Sequence, residues 1–388
     1  MTDEPRYMPN NQPLRALSKT PKLLFQAALE EFVEKNEVPT TFEEGHLSGI
    51  FAGFTGIPYM FLQLSELHPD VQVKGESLRQ LAERYIKVGS DAPMLKQDIE
   101  CGLISEKLGR EALTACLSGD EKDVERFIAS TADIASPPSM TDEPIANEIL
   151  YGRAGVLFLL RLVRHWVPQS RARLEAQMRT IAGRIMESNN HGLDSWVWIN
   201  KKFVGAVHGD IGIITQLVMC LPELAAALEP HLLRLLSMQF EDGNWPKYMD
   251  EGETESDIVQ FCHGAPGFVI SLQALRPYYP HLSAAFDHSI AKGVEITWAK
   301  GLLRKEPALC HGIMGNALAL PRGEKRDHFL ALVEPQAIDE MKKKDPTAFG
   351  TANYGMRYCI PMIYSMSAVW VWGVCEQDCP PFFAFSDV

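Results

Sequence analysis

Two kinds of hydrophobic pattern alternate along this chain. Some stretches are apolar almost throughout, such as residues 156–160 (VLFLL) and 268–270 (FVI). Each is followed by a stretch in which apolar residues recur with a helical period, such as residues 174–186 and 282–299. A helix that is apolar on all sides is buried, whereas an amphipathic helix covers a core. The pattern therefore predicts buried helices, each covered by an outer helix.

Short turns rich in small residues precede the apolar stretches. Their leading glycines lie roughly 43 to 57 residues apart, a period that suits one helical hairpin with its connection. Two concentric rings of helices fit this repeat best, with the inner helices starting at the turns. The seven turns lie at residues 53–56, 101–102, 152–155, 209–212, 264–267, 312–315 and, more weakly, 354–355.

Glycine recurs three residues apart in most of these turns. This spacing suits a backbone that adopts positive φ and a close approach between helices. The N-termini of the inner helices would gather at one end of the ring, where their dipoles attract carboxylates and lower the pKa of thiols. Signals for β-hairpins are sparse, apart from a short pair around residues 196–204.

Three longer connections are expected around this end of the ring. Residues 130–144 contain two consecutive prolines and several Ser and Thr residues, which is typical of a linker. Residues 241–257 are acidic and include the turn DGNWP, and residues 334–351 include three consecutive lysines. Charge runs of this kind are usually solvated surface.

Composition narrows the class of protein. The chain has 388 residues, of which 46% are hydrophobic and 22% are charged, so it has ample material for a large core. A closed repeat architecture can extend one domain to this size. We therefore predict an N-terminal segment with the first outer helix at residues 1–40 and a single domain at 41–388. The net charge of −13 argues against a nucleic-acid partner.

The expected environment is the cytoplasm. The first 13 residues are polar, and no run of eighteen apolar residues occurs, so neither a secretion signal nor a transmembrane segment is expected. Eight cysteines over this length do not resemble a disulfide framework, so reduced thiols and a metal are the better expectation. Cys375 and Cys379 are nevertheless close enough in sequence to pair under oxidising conditions.

Two of the turns carry a Cys-His pair. Residues 261–267 read FCHGAPG, and residues 309–316 read LCHGIMGN. Thiolates and an imidazole from two such turns could hold three corners of a tetrahedral zinc site. An open fourth corner is typical of a catalytic zinc, because solvent or substrate can bind there.

These two motifs, with residues 203–209 (FVGAVHG), 150–155 (LYGRAG) and the DGNWP turn, resemble the lanthionine synthetase C-like family, most nearly its eukaryotic branch. The resemblance covers nearly the whole chain, and the ordered set of motifs is far more specific than one Cys-His-Gly triplet. It implies an all-α fold, an α/α toroid or double seven-helix barrel built from seven helical-hairpin repeats. It also implies one bound zinc and chemistry at carbon–sulfur bonds.

The resemblance assigns the metal ligands to Cys262, Cys310 and His311. His263, although it lies in a Cys-His-Gly triplet, is not a ligand in the family pattern. His208 matches the histidine that the family places near the metal as an acid/base candidate.

Other positions match the family more loosely. Glu148 stands where bacterial members carry a carboxylate that assists the histidine, although it could equally be an ordinary residue at a helix end. Lys305 and Arg6 match basic positions that resemble glutathione-binding residues, with plain surface charge as the alternative. Arg153 follows the family's Tyr-Gly-Arg pattern, where its role could be structural.

Two turns depart from the pattern. The second turn, at residues 101–105, lacks its second glycine, and the seventh reads YGMRY at residues 354–358. Arg357 and Tyr358 would point towards the rim and reshape the substrate pocket, and Asp210, after the His208 turn, could do the same.

The resemblance implies a reaction in which a zinc-activated thiol adds to an electron-poor alkene. The thiol would be glutathione or a peptide cysteine, and the acceptor a dehydroalanine or dehydrobutyrine in a modified peptide or protein. His208 would manage the protons, and the product would be a thioether. The alternative is a non-catalytic, zinc-containing glutathione-binding or scaffold protein in signalling. His208 favours the enzyme, because a pure binder needs no acid/base group.

Overall fold

A computed structural model describes residues 5–43, 45–88, 101–136, 145–249, 252, 254–350 and 356–388. A short antiparallel hairpin pairs β1 (Gln72–Val73) with β2 (Glu76–Ser77). Single-turn 3-10 helices lie at Pro168–Ser170, Pro222–Leu224, Arg276–Tyr278, Pro280–Leu282 and Ile360–Met362. The α-helices of the described ranges are α1 (Pro21–Lys35), α2 (Gly49–Ala52), α3 (Gly56–Leu67), α4 (Leu78–Ile86), α5 (Glu106–Ser118), α6 (Glu121–Ser130), α7 (Ala132–Ala135), α8 (Arg153–Trp166), α9 (Arg171–Glu187), α10 (Asp210–Cys220), α11 (Ala225–Ser237), α12 (Ala265–Leu275), α13 (Ser283–Lys300), α14 (Ile313–Ala319), α15 (Glu324–Ala331), α16 (Pro335–Lys344) and α17 (Tyr364–Val374).

Seven of the described helices form a closed inner ring. Helix α3 packs on α5 and α5 on α8, and the ring continues through α10, α12, α14 and α17 back to α3. These helices are buried on nearly every side; residues 210–218 of α10 and 265–272 of α12 are all buried. Burial on all sides is the expected position for the segments that are apolar throughout.

An outer helix covers each member of this ring. Helices α4, α6, α9, α11, α13 and α15 pack on α3, α5, α8, α10, α12 and α14, respectively. The seventh outer helix is α1, which precedes all the others in sequence and packs on α17. The predicted all-α toroid of two nested seven-helix layers is therefore confirmed, and two helices far apart in sequence complete its seventh repeat.

The turn glycines are needed mainly because other backbone atoms lie close to them. At Gly315 an added Cβ would lie 1.8 Å from the carbonyl oxygen of Leu309. Positive φ, which the sequence predicts for these turns, occurs at Gly264 (φ 110°). The same prediction is wrong at Gly209 and Gly312, whose φ values are −122° and −130°.

The last stretch of the chain, residues 380–387, which we call the tail, lies inside the inner ring. Phe382 stacks on Phe261 with ring centroids 3.5 Å apart. Phe383 contacts Tyr59 of α3 and Trp370 of α17 at centroid distances of 5.0 and 5.2 Å. Because these partners come from different sides of the ring, the tail fills its centre.

Polar groups also hold the tail. The carbonyl oxygen of Phe385 accepts hydrogen bonds from Arg161 of α8 (2.8 Å) and Gln216 of α10 (3.0 Å). The Tyr59 hydroxyl donates to the carboxylate of Asp387. Burial raises the pKa of Asp387 to about 6. The tail is thus part of the folded core.

The predicted connections are described only in part. Residues 137–144, 250–251, 253 and the seventh turn at 354–355 lie outside the described residues. The segment predicted as a third connection contains helix α16, which begins with Pro335 and ends with the lysine run. Proline at the first position and lysines in the last turn both stabilise a helix, so the charge run belongs to a helix end.

Two further observations concern the predicted location and redox state. None of the helices within the described ranges is both long and apolar enough to span a membrane. The eight cysteines are free thiols in the structure, Cys375 and Cys379 included.

Candidate functional site

The candidate site lies at the end of the ring where the inner helices begin. Because consecutive inner helices are neighbours, turns about fifty residues apart in sequence lie side by side. Backbone hydrogen bonds join these turns, from Leu103 N to Ile149 O (3.1 Å), from Ile149 N to Val207 O (3.3 Å) and from Cys262 N to Cys310 O (3.3 Å).

Cys262, Cys310 and His311 form a buried cluster at the turns before α12 and α14. One ligand atom from each residue lies within 4.8 Å of the other two, and the exposed fractions of the three residues are 7%, 6% and 4%. Metal–ligand bonds of about 2.0 to 2.3 Å place neighbouring tetrahedral ligands roughly 3.5 to 4 Å apart. The group could therefore hold a metal ion with little adjustment. The structure thus brings together the three residues that the sequence predicts as ligands.

The two thiols of this cluster differ in acidity. The Cys310 thiol lowers the pKa of Cys262 well below its usual value, and the charges of His263 and His311 act in the same direction against burial. Contact with Cys262 and burial raise the pKa of Cys310. Gln260 Nε2 donates to the Cys262 sulfur at 3.0 Å. Two adjacent thiolates repel each other, so a cation between them would stabilise both.

Glu148 and His208 form a polar pair at the turns before α8 and α10. The Nδ1 atom of His208 lies 2.7 Å from Glu148 Oε2, and the Glu148 side chain is only 1% exposed. The same carboxylate accepts hydrogen bonds from the backbone N–H of Leu150 (3.0 Å) and Tyr151. An anchored carboxylate fixes the orientation of the imidazole and leaves Nε2 to exchange protons.

Trp198 covers one face of His208. The two rings are parallel within 9°, and their centroids lie 4.0 Å apart. Tyr151 packs against Trp198 at 5.6 Å. The sequence analysis missed Trp198 as a site residue; the only signal was the weak hairpin pattern around residues 196–204.

His263 lies between the polar pair and the cysteine cluster. It follows Cys262 directly, and its ring centroid lies 6.0 Å from that of His208. Burial lowers the pKa of His263, and the charges of His208 and Lys247 act in the same direction against Cys262. His263 is not a member of the group of clustered donors found among the described residues. Lys247, which the sequence analysis also missed, belongs to this neighbourhood.

Lys305 lies next to the N-terminal segment that carries Arg6. The carbonyl oxygen of Arg6 accepts a hydrogen bond from Arg304 N (3.0 Å), which places the N-terminal segment next to residue 305. Burial and the charge of Arg6 lower the pKa of Lys305, whereas Cys262 and Cys310 raise it. Lys305 is therefore within electrostatic range of Arg6 and of both thiols.

Arg153 and Arg357 have different surroundings. The Arg153 guanidinium is buried and donates to the carbonyl oxygens of Ile134 (3.2 Å) and Ile145 (2.9 Å) and to Asn147 Oδ1 (3.2 Å). These contacts tie the connection before α8 to the helix. Arg357 is exposed and lies over the ring of the neighbouring tyrosine at 5.4 Å.

Comparisons with known proteins concern the family and the fold. The family model described as "Lanthionine synthetase C-like protein" matches residues 47–327. The glutathione S-transferase LANCL1 of Danio rerio is 28% identical over an alignment of 190 residues that covers 45% of this chain and 45% of the relative. The solved structure of a nisin cyclase superposes with a TM-score of 0.57 at 15% identity, covering 91% of this chain and 93% of the cyclase. At that identity, the likeness to the cyclase concerns the fold.

Proposed function

The chain belongs to the lanthionine synthetase C-like family, and from that premise we propose that it is a zinc-dependent enzyme that forms thioethers. The thiol substrate is glutathione or a peptide cysteine. The acceptor is a dehydroalanine or dehydrobutyrine residue in a modified peptide or protein. The observation that carries the proposal is the anchored pair of Glu148 and His208 beside a buried cluster of two cysteines and a histidine.

Cys262, Cys310 and His311 would hold one zinc ion per chain, because two thiolates and an imidazole are donors that zinc prefers. When bound, zinc supplies a positive charge that keeps a substrate thiol deprotonated near neutral pH. Gln260 orients the Cys262 sulfur through the hydrogen bond of 3.0 Å, as supporting residues commonly do around metal ligands.

His208 would move the protons of the addition through Nε2. It accepts the proton that the thiol loses on becoming a thiolate, and it returns a proton to the α-carbon once the sulfur has bonded to the β-carbon of the acceptor. Nothing leaves the acceptor, and the histidine ends in its starting state. Glu148 accepts a hydrogen bond from Nδ1–H, which fixes the tautomer and stabilises the ring while it is charged.

Lys305 and Arg6 would bind the carboxylates of glutathione, because cationic donors beside the thiols suit an anionic thiol substrate. Arg357, exposed near the predicted rim, remains a proposed substrate contact. For Arg153, the buried position and the hydrogen bonds to main-chain carbonyls favour the structural alternative.

The comparisons support this reaction class without naming a substrate of this chain. The Danio rerio relative carries the name of a glutathione S-transferase, and the structural neighbour is called a cyclase. The matched stretch is less than half of that relative, so the substrates belong to the proposal. We also propose a cytoplasmic protein in which the whole chain is one domain, with residues 1–40 supplying the outer helix α1 to the toroid of residues 41–388.

A direct assay tests the proposal. The zinc-loaded protein is incubated with glutathione and a peptide containing dehydroalanine, and mass spectrometry follows the gain of one glutathione per peptide. The adduct should form well above the uncatalysed rate, and a His208→Asn control should approach that rate. Glutathione binding without any acceleration would favour the alternative of a non-catalytic binding or scaffold protein.

A further inference from the structure

A tight hairpin turn at residues 198–201 stands beside the candidate site. Trp198 N donates to Lys201 O at 2.9 Å, and Lys201 N donates to Trp198 O at 3.0 Å. The two residues between them, Ile199 and Asn200, have φ values of 47° and 57°. Asparagine tolerates this conformation, but a β-branched residue such as isoleucine rarely adopts it. The fold therefore holds an unfavourable residue at the tip of the turn.

The outer side of this segment is apolar and exposed. Leu193, Val197 and Ile199 are 63%, 55% and 68% exposed, and they fall within seven consecutive residues. We call these three side chains the apolar edge. Exposed apolar side chains are common singly, so they indicate an interaction surface only where they adjoin a binding groove, as Val197 and Ile199 do.

The segment that carries the apolar edge is anchored to the protein core through Trp196. Trp196 is buried, its Nε1 donates to Ile185 O at 2.9 Å, and its backbone N–H donates to Asp210 Oδ1 at 3.2 Å. Asp210 begins α10, the helix that follows His208. The segment is thus tied to the element that carries the proposed acid/base residue.

A groove of about 740 Å³ runs along the same segment. Trp198 lines this groove and also stacks on His208, so a single side chain belongs both to the groove and to the candidate site. Val197 and Ile199 form an apolar part of the lining, and Arg184 and Glu187 supply charged groups. Apolar and hydrogen-bonding groups side by side suit a peptide segment, which presents both.

We propose that the apolar edge and this groove dock the polypeptide that carries the acceptor residue. An apolar side chain near the dehydroamino acid packs on Val197 and Ile199, and the acceptor itself passes Trp198 to reach His208. This inference rests on the proposed function for the identity of the acceptor. The proposed role of this surface is to select a polypeptide acceptor over a small molecule.

The test separates docking from catalysis. The variant Val197→Thr/Ile199→Asn removes two apolar side chains, keeps the shape at residue 197 and places a turn-compatible residue at 199. Leu23→Gln is the matched control, because Leu23 is 58% exposed on α1. A fluorescent peptide with alanine in place of dehydroalanine and leucine beside it serves as an unreactive probe, and fluorescence anisotropy gives its Kd.

We expect the Kd of the probe to rise about tenfold in the double variant, the scale for losing two apolar anchors, and to stay unchanged in the control. The KM for the matching dehydroalanine peptide should rise in parallel, relative to the KM for a small N-acyl dehydroalanine ester. Equal probe affinity in wild type and double variant, or no binding by wild type, would overturn the inference whether or not the enzyme turns over. Sedimentation showing that the substitutions only dissociate a dimer would also overturn it.

Discussion

The imidazole of His208 is bound to Glu148 through Nδ1 and stacked under Trp198, so its ring is held from the edge and from one face. We therefore expect His208→Asn to lower the rate of thioether formation on the order of a hundredfold or more, the usual contribution of a general acid/base. Zinc content should not change. Glu148→Gln should lower the rate less than Glu148→Ala, because the glutamine oxygen can still accept a hydrogen bond from Nδ1–H. Equal rates in all four proteins would remove the pair from the mechanism.

The stacking on His208 makes Trp198 a positioning residue. Trp198→Ala should slow the reaction roughly three- to tenfold, the range for the loss of an aromatic pair, and Trp198→Phe should restore most of the rate. Single-turnover kinetics with bound thiol measures this effect separately from substrate binding. A phenylalanine variant as slow as the alanine variant would contradict a role in stacking.

Cys310→Ala should abolish stable zinc binding. The variant removes one of three converging donors, so its zinc content should fall below about a tenth of one ion per chain. Cys116→Ala is the control, since it removes an equally buried thiol from α5. Metal analysis after dialysis provides the measurement, and full zinc occupancy in the Cys310 variant would show that this cysteine is not a ligand.

Lys305→Glu should weaken glutathione binding by roughly 1 to 3 kcal/mol, the range for a charge-assisted hydrogen bond. Calorimetric titration at equal zinc content measures the difference. The exposed Lys344, in the last turn of α16, supplies the matched control Lys344→Glu. If neither charge reversal changes the Kd for glutathione, Lys305 is an ordinary surface charge.

Asp387 should make the fold less stable as the pH rises. Burial raises its pKa to about 6 from the usual 3.8 of an aspartate, so between these pH values the folded protein binds a proton that the unfolded chain releases. The associated stability is present below pH 4 and is lost as the pH rises through 6. The free energy of unfolding of Asp387→Asn, relative to that of the wild type, should therefore increase by on the order of 3 kcal/mol between pH 4 and pH 8.

Urea unfolding of wild type and Asp387→Asn at both pH values gives this difference. Asp378→Asn, at an exposed position, is the control. If the free energies of unfolding of the wild type and the Asp387 variant differ by the same amount at both pH values, the carboxyl group is not buried in the folded protein.

The ring of helices could be predicted because its cause is local. Each apolar stretch follows a turn such as Gly312–Gly315, where close backbone contacts exclude a side chain, and the repeat itself specifies the neighbours. The pairing of Cys262 with Cys310 followed from the same repeat, since they occupy matching positions in adjacent turns, and the resemblance to the family added His311 as the third proposed ligand. Glu148 also reaches His208 because their turns are neighbours.

The remaining features depend on contacts that no local pattern records. Phe382 is buried by Phe261, more than a hundred residues earlier, so its place in the ring is not visible in its own segment. Trp198 meets His208 through a turn whose tip is Ile199, a residue that normally argues against such a turn. Arg153 shares its motif with the family, but only the structure shows its hydrogen bonds to main-chain carbonyls.

Because the tail fills its centre, the ring of helices has no open channel from one end to the other. A polypeptide cannot be threaded through the toroid, so only a segment that bends into the open end can reach Cys262, and it must withdraw by the same path. Under the proposed function, both substrates would therefore arrive, and the thioether product would leave, on the side of the ring that carries Cys262 and His208.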